Sequence, residues 1–137
     1  MSAFFDTNVL VYCTDTSDPR RQMQARQLVA QSSAKGEAVI STQILIELFN
    51  VLTRKQKMPS GVARELALAY AAWPLINSDF ALVSAALEKS VEHKLSIFDA
   101  MVVAAALRAE AQTLYSEDMQ DGQRYGSLTV VNPFLQS

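Results

Sequence analysis

Short apolar runs alternate along this chain with longer segments in which apolar residues recur at helical spacing. The runs have the length of buried strands, and they lie at 3–6, 37–41, 74–78, 112–116 and 128–133. The longer segments predict helices, and they lie at 17–36, 42–57, 62–73, 79–94 and 96–111. Strands that alternate with helices in this way predict a mostly parallel α/β sheet.

Capping residues support several of these helices. Asp18 followed by Pro19 is a favourable helix start, and Gly36 can end that helix. Ser78 is the candidate N-cap of the fourth helix. The expected fold is a single α/β domain over residues 1–137, with a mostly parallel central sheet of four to five short strands flanked by helices.

The composition narrows the class of protein. Hydrophobic residues make up 50% of the chain and Gly and Pro number four each, which indicates a folded core rather than a disordered chain. A single cysteine and a single histidine exclude an internal disulfide and a Cys-based or multi-His zinc site. The start carries no secretion signal and no apolar run has the roughly 18 residues of a membrane span, so we expect a cytoplasmic protein with no membrane partner. The net charge of −2 argues weakly against a broad nucleic-acid-binding face.

Four acidic residues occupy positions where water is not their natural partner. Asp6 ends the first predicted strand and Asp118 follows the fourth, and ligands of α/β sheets bind beyond the carboxyl ends of the strands. Glu47 falls on the apolar stripe of its helix, where an unpaired charge is costly. Asp99 lies in the first turn of a helix that is apolar on nearly every side.

Each acid also has an ordinary structural explanation. Asp99 follows Ser96 at the spacing of a capping box. Asp6 could cap the helix that follows it, Asp118 could stabilise a turn, and Glu47 could be partly exposed. If the fold brings the four together, however, the chain offers no cluster of cations to balance them. Their partner would then be a metal ion, and all-oxygen ligands indicate Mg²⁺ or Mn²⁺.

Four sequence motifs carry a resemblance to a known family. They are FFDTNVLVY at 4–12, STQILIELFNVLTR at 41–54, SIFDAMVVAAAL at 96–107 and LYSEDMQDG at 114–122. Each motif contains one of the four acids, and in this order they resemble the motifs of PIN domains. The resemblance is closer to the VapC-like toxins of bacterial toxin–antitoxin pairs, and it runs from end to end of the chain.

The resemblance implies a nuclease that cuts single-stranded RNA with one or two divalent cations, Mg²⁺ or Mn²⁺. Carried over by position, its catalytic and metal-binding residues would be Asp6, Glu47, Asp99 and Asp118. The neighbouring groups that orient them would be Thr7, Asn8 and Ser116, with Asp121 as a further acid. Because the fourth acid varies most within the family, the choice between Asp118 and Asp121 stays open.

The resemblance also implies three partners: an RNA substrate, a small antitoxin and a second copy of the chain as a homodimer. The basic residues that could contact RNA phosphates are Arg20, Arg21, Arg54, Lys55 and Lys57. For those near the end of a helix, the helix dipole alone is a sufficient explanation. The candidate antitoxin contacts are Leu48, Phe49 and Trp73.

Two other enzyme classes with acids at strand ends do not fit this sequence. A phosphoryl-accepting receiver domain needs an acidic pair after the first strand and a Lys after the last, but Thr7 follows Asp6 and residues 128–133 contain no Lys. A haloacid-dehalogenase-type phosphatase needs a second Asp where this chain has Asn8. The remaining alternative is a non-catalytic PIN-like module that binds RNA or a protein.

Overall fold

One six-stranded sheet organises the computed structural model of this chain, which describes residues 1–135. Its strands are β1 (Ser2–Phe5), β2 (Ala38–Ser41), β3 (Leu75–Ile76), β4 (Ala111–Tyr115), β5 (Arg124–Tyr125) and β6 (Leu128–Val131). The helices are α1 (Thr7–Tyr12), α2 (Pro19–Ala34), α3 (Thr42–Arg54), α4 (Ser60–Tyr70), α5 (Phe80–His93) and α6 (Ile97–Arg108). None of the helices within residues 1–135 is long and apolar enough to cross a membrane.

The N-terminal strand lies inside the sheet, whose strand order is β3-β2-β1-β4-β6-β5. β1 pairs in parallel with β2 and β4, and β6 pairs in parallel with β4. The mostly parallel α/β fold predicted from the sequence is confirmed. The sheet has six strands rather than four to five, because the two-residue β5 joins it as the antiparallel partner of β6.

The core is built on the aromatic residues of β1 and the small residues of α6. Phe4 and Phe5 are fully buried, and the Phe5 ring stacks on that of Tyr115 with 5.3 Å between centroids. In α6, every residue from Val102 to Ala106 is buried. These small side chains let α6 pack against both α5 and β4, as expected for a helix that is apolar on nearly every side.

The N-caps of two helices test the capping predictions. Asp18 caps α2 as predicted, since its carboxylate accepts a hydrogen bond from the backbone N of Arg21 at 3.2 Å. The prediction for α5 was wrong, because the cap is Asp79 and not Ser78. The Asp79 carboxylate accepts from the backbone N of Leu82 at 2.8 Å, whereas the Ser78 side chain accepts a hydrogen bond from the Thr42 hydroxyl.

The break between α3 and α4 lies earlier in the chain than predicted. α3 ends before Lys57, whose φ of 57° is in the left-handed region that an α-helix cannot continue. α4 already begins at Ser60, with Pro59 as its N-cap, because proline has a fixed φ and needs no backbone partner at the start of a helix. Residues 55–59 therefore form a short connection between the two helices.

Candidate active site

A cavity of about 460 Å³ opens at the carboxyl edge of the parallel strands. All four acids of the sequence motifs line it, namely Asp6, Glu47, Asp99 and Asp118. They come from the end of β1, the middle of α3, the first turn of α6 and the loop after β4. The fold thus brings together side chains that are far apart in the sequence.

Asp6 is the most deeply buried of these acids, with 7% of its surface exposed. One carboxylate oxygen caps α1 by accepting from the backbone N of Thr7 at 2.8 Å, and the other accepts from the Ser116 hydroxyl at 2.8 Å. Burial raises the pKa of Asp6 to about 6, with part of that effect offset by these hydrogen bonds. The nearby negative charges of Glu47 and Asp99 raise it further. Capping and cavity lining are therefore combined in one side chain.

Two neighbouring side chains hold Glu47 in place. The Thr7 hydroxyl donates to one of its carboxylate oxygens at 2.6 Å, and the Gln43 amide donates to the other at 3.1 Å. Gln43 lies one helical turn before Glu47 and also donates to the carbonyl of Phe98, at 3.2 Å. The carboxylate therefore faces the cavity in an orientation fixed from α1 and from α3 itself.

Asp99 lies in the first turn of α6 and also lines the cavity. Its backbone N donates to the Ser96 hydroxyl at 3.1 Å, so Ser96 is the N-cap of α6. Its carboxylate lines the cavity. Partial burial raises the pKa of Asp99, and the negative charges of Asp118 and Glu47 add to this effect, while the hydrogen bond with Ser96 opposes it.

Asp118 and Asp121 have different surroundings in the structure. Asp118 is exposed and lines the cavity. Asp121 instead accepts a hydrogen bond from the backbone N of Asn132 at 2.7 Å, so it ties the loop after β4 to the end of β6. Ser116, fully buried, both donates to Asp6 and accepts from the backbone N of Met119 at 3.2 Å. Of these two acids, the one at the cavity is therefore Asp118.

The charges of this site are unbalanced. Within residues 1–135, none of the four cavity carboxylates forms a salt bridge, and the ion pairs there involve other acids. In chemistry the four carboxylates fit Mg²⁺ or Mn²⁺, which prefer oxygen ligands. The four carboxylates are, however, too far apart to hold an ion as they stand. Among the described residues, no three His, Cys, Asp or Glu side chains are grouped closely enough to do so. The side chains would have to converge further for an ion to bind.

Comparison with known families identifies the fold. The PIN domain family model matches residues 3–121, a range that contains all four acids. The chain belongs to the PIN domain family. The family resemblance found in the sequence motifs is thereby confirmed. No curated protein sequence matches the chain.

Solved structures of toxins share this PIN fold. VapC20 of Mycobacterium tuberculosis, described as a sarcin–ricin loop cleaving toxin, is 24% identical with a TM-score of 0.71, over 85% of this chain and 90% of that one. A toxin–antitoxin complex from Klebsiella pneumoniae is 22% identical with a TM-score of 0.69, over 97% and 98% of the two chains. VapBC2 from Rickettsia felis, bound to a promoter DNA fragment, is 18% identical with a TM-score of 0.69, over 95% and 97%. At these identities the likeness shows the fold.

The basic residues predicted to contact RNA occupy different places on the PIN domain. Lys55, the C-cap of α3, lines the cavity together with the acids. It also lines an adjoining depression of about 470 Å³, to which Lys57 contributes. Arg20 and Arg54 are exposed and lie outside the lining of the cavity. A cationic path thus leads along residues 55–57 to the acidic cavity.

Arg21 is engaged in a network rather than left free. Its Nε donates to Glu117 at 2.8 Å and one terminal nitrogen donates to Asp18 at 3.1 Å. Glu117 also accepts from the hydroxyl of Tyr12 at 2.7 Å, and the Arg21 guanidinium lies 5.7 Å from the centre of the Tyr12 ring. This network joins α1 and α2 to the loop that carries the fourth acid.

Sequence reasoning missed two of the groups that support the acids. Gln43 carried a signal, because residues four apart on a helix are neighbours and Gln43 precedes Glu47 by that spacing. Glu117 carried none, since its partners are 96 and 105 residues away in the sequence. Asn8 was singled out, and its side-chain amide at the cavity is buried with no hydrogen-bond partner among the described residues.

Proposed function

We propose that this PIN domain is a divalent-metal-dependent endoribonuclease that hydrolyses phosphodiester bonds in single-stranded RNA. One observation carries the proposal. Four carboxylates from four distant segments line one cavity, and none of them has a cationic partner within residues 1–135. Concentrated negative charge that the protein does not neutralise is the arrangement expected where a metal ion belongs.

In this proposal the four acids hold Mg²⁺ or Mn²⁺. Such an ion supplies charge neutralisation at the scissile phosphate and activation of the attacking water. The remaining work falls to the side chains around the acids. Thr7 and Gln43 keep the Glu47 carboxylate turned to the cavity, and Ser116 does the same for Asp6. Such supporting hydrogen bonds fix ligand orientation and tune affinity for the ion.

The substrate is held by charge at one end of the cavity. Lys55 lines the same cavity as the acids, so its positive charge can bind the phosphate of a neighbouring nucleotide. Lys57 lines the adjoining depression and extends the phosphate contact along the RNA. A single strand is favoured over a duplex because the catalytic groups lie within a cavity rather than on a protruding surface.

The decisive experiment is cleavage of defined single-stranded RNAs with Mg²⁺, with Mn²⁺ and with EDTA. Asp6→Asn and Asp99→Asn should each lower the rate by about 100-fold or more while circular dichroism shows an intact fold. Asp118→Asn should do likewise. Its matched control is Asp121→Asn in the same loop, which keeps an oxygen for the backbone N of Asn132 and should leave the rate nearly unchanged. Cleavage that persists in EDTA would contradict the proposal.

A non-catalytic RNA-binding module is the second candidate function. It is favoured by the spacing of the acids, since no three of the described His, Cys, Asp or Glu side chains are already grouped to hold an ion. In that case the protein would bind single-stranded RNA with a salt-dependent affinity and leave it uncut in either metal. The cleavage assay therefore decides between the two.

The proposed biological role is that of a toxin neutralised by an antitoxin. An apolar groove of about 340 Å³ lies beside Glu47, and the exposed Ile46 and Phe98 are part of its lining, at 70% and 66% exposure. Two structural neighbours are a toxin–antitoxin complex and VapBC2. An apolar helical segment of an antitoxin fits such a groove. Leu48, predicted as a contact, is fully buried and cannot take part.

A homodimer is the second proposed assembly. α5 presents a stripe of exposed apolar residues at helical spacing, Phe80, Leu87 and Val91, with 84%, 53% and 83% of their surface exposed. Apolar residues in a row on one helix face indicate a surface that another protein covers. We assign this face to a second copy of the chain because it lies on a different helix from the groove assigned to the antitoxin.

A further inference from the structure

A second cavity adjoins the first and shares two of its acids. It has a volume of about 300 Å³, and Asp99 and Asp118 line both cavities. Its other polar lining residues are His93, Gln120 and Gln123, and the ring of Tyr125 closes one side. The sequence motifs did not single out the three polar residues for any function. Asp99 and Asp118 therefore lie between two cavities. The first cavity contains Lys55, and the second is lined by two glutamines.

The lining of this second cavity excludes a phosphate and suits a base. It contains no Lys or Arg among the described residues, and it contains two carboxylates that would repel a phosphate. The Gln120 side chain is exposed at this cavity, and its amide has both a donor and an acceptor group. The Gln123 amide donates to the carbonyl of Arg124 at 3.3 Å, which holds that side chain in place.

An aromatic pair adds a stacking surface to these amides. The His93 and Tyr125 rings meet edge to face with 5.1 Å between centroids and 86° between planes. Tyr125 is 8% exposed, which fixes the pair in the fold, whereas the His93 side chain is 35% exposed. Proteins that bind single-stranded RNA commonly stack bases on such rings and read their edges with amide groups.

We propose that this second cavity, lined by His93, Gln120, Gln123 and Tyr125, is a nucleobase subsite that selects the nucleotide next to the cleaved bond. The inference rests on the proposed ribonuclease function. In this placement the scissile phosphate of the RNA lies over Asp99 and Asp118, and the phosphate on one side of it contacts Lys55. The nucleotide on the other side of the scissile phosphate then lies at the second cavity. A volume of about 300 Å³ is at the lower end of the range of roughly 300–1,000 Å³ for small-ligand sites, as a single base requires.

Base preference at the cleaved bond tests the subsite. Two sets of four single-stranded RNAs are compared, each set varying the base on one side of the bond. The wild-type kcat/KM should differ by about ten-fold or more among the bases on one side only, since an edge-reading contact discriminates by about 1–3 kcal/mol. The double variant Gln120→Ala and Gln123→Ala should reduce that difference to about two-fold or less. Gln112→Ala, which changes an exposed glutamine of β4, should preserve it.

A binding measurement separates this inference from the proposed function. The glutamine side-chain amide signals are followed by NMR in EDTA during titration with the four nucleosides, which carry a base but no phosphate. Signals of Gln120 and Gln123 should shift, and that of Gln112 should not. If these signals shift but no RNA is cut with any metal, the ribonuclease proposal fails and base binding stands. If RNA is cut but the signals stay unshifted, or base preference survives in the double variant, the subsite is refuted.

Discussion

Asp6→Asn should make the metal-free protein more stable at neutral pH, because it removes a charge that the fold keeps from water. Burial is the main reason that the pKa of Asp6 rises from 3.8 to about 6, and the hydrogen bonds from Ser116 and Thr7 offset only part of that effect. Asparagine has the same shape and still offers an oxygen to the backbone N of Thr7. The variant therefore keeps the N-cap of α1 and loses the buried charge.

The size and sign of the effect follow from the two pKa values. Because the folded-state pKa of about 6 lies above the ordinary 3.8, the folded protein binds the proton more tightly than the unfolded chain does. The free energy of unfolding therefore rises as the pH falls through 6 toward 3.8, by roughly 3 kcal/mol in total. Asp6 is only 7% exposed, so solvent screening reduces this little. The folded pKa already includes the hydrogen bond from Ser116, so Asp6→Asn should gain roughly 3 kcal/mol above that pKa.

Urea unfolding followed by circular dichroism in EDTA, from about pH 4.5 to about pH 7.5, measures this directly. Other groups titrate in both proteins, so the informative quantity is the difference between wild type and Asp6→Asn at each pH. That difference should shrink toward the acid end. The control is Asp118→Asn, which neutralises an exposed carboxylate of the same cavity and should change the stability far less. A variant that is less stable than wild type at about pH 7.5, or that follows a parallel pH profile, would refute the reasoning.

Three further outcomes are expected. In a steady-state cleavage assay, Thr7→Val should lower kcat about ten-fold, because it removes the hydroxyl that orients the Glu47 carboxylate. Thr7→Ser keeps the hydroxyl and should keep the wild-type kcat. Arg21→Ala should lower kcat with little change in KM or salt dependence, because Arg21 holds the loop that carries Asp118. A raised KM, the result expected for a lost phosphate contact, would contradict this. Arg20→Ala is the control. Val91→Asp should convert a dimer to a monomer in sedimentation velocity. The control Glu88→Gln, also on the exposed surface of α5, should remain a dimer. If Val91→Asp still sediments as a dimer, the interface lies elsewhere.

The sequence predicted best where one element is largely buried. The apolar run of α6 and the charge in its first turn could be interpreted together, because a mostly buried helix has few places for a carboxylate. The parallel arrangement also followed from the alternation of strands and helices. Both inferences depend on the burial of long, strongly patterned segments, and burial is the property that hydrophobic patterns report.

The details that escaped prediction depend on contacts between distant residues. β5 has two residues and exists only through its pairing with β6, so no local pattern marks it. Spacing could not tell which of Asp118 and Asp121 lines the cavity, because Asp121 is held instead by a hydrogen bond from the backbone N of Asn132 across the loop. The α5 cap was misassigned by one residue because Ser78 and Asp79 are both good caps, and Ser78 is occupied by Thr42 of another helix.

The hydrogen bond between Asp6 and Ser116 joins residues that are 110 positions apart. During translation, Asp6 emerges from the ribosome well before β4 and the loop with Asp118. β1 must therefore wait for β4 before it can take its place inside the sheet. The acidic cavity can therefore form only after both of these distant segments have been synthesised, so its assembly depends on the order in which the chain is made.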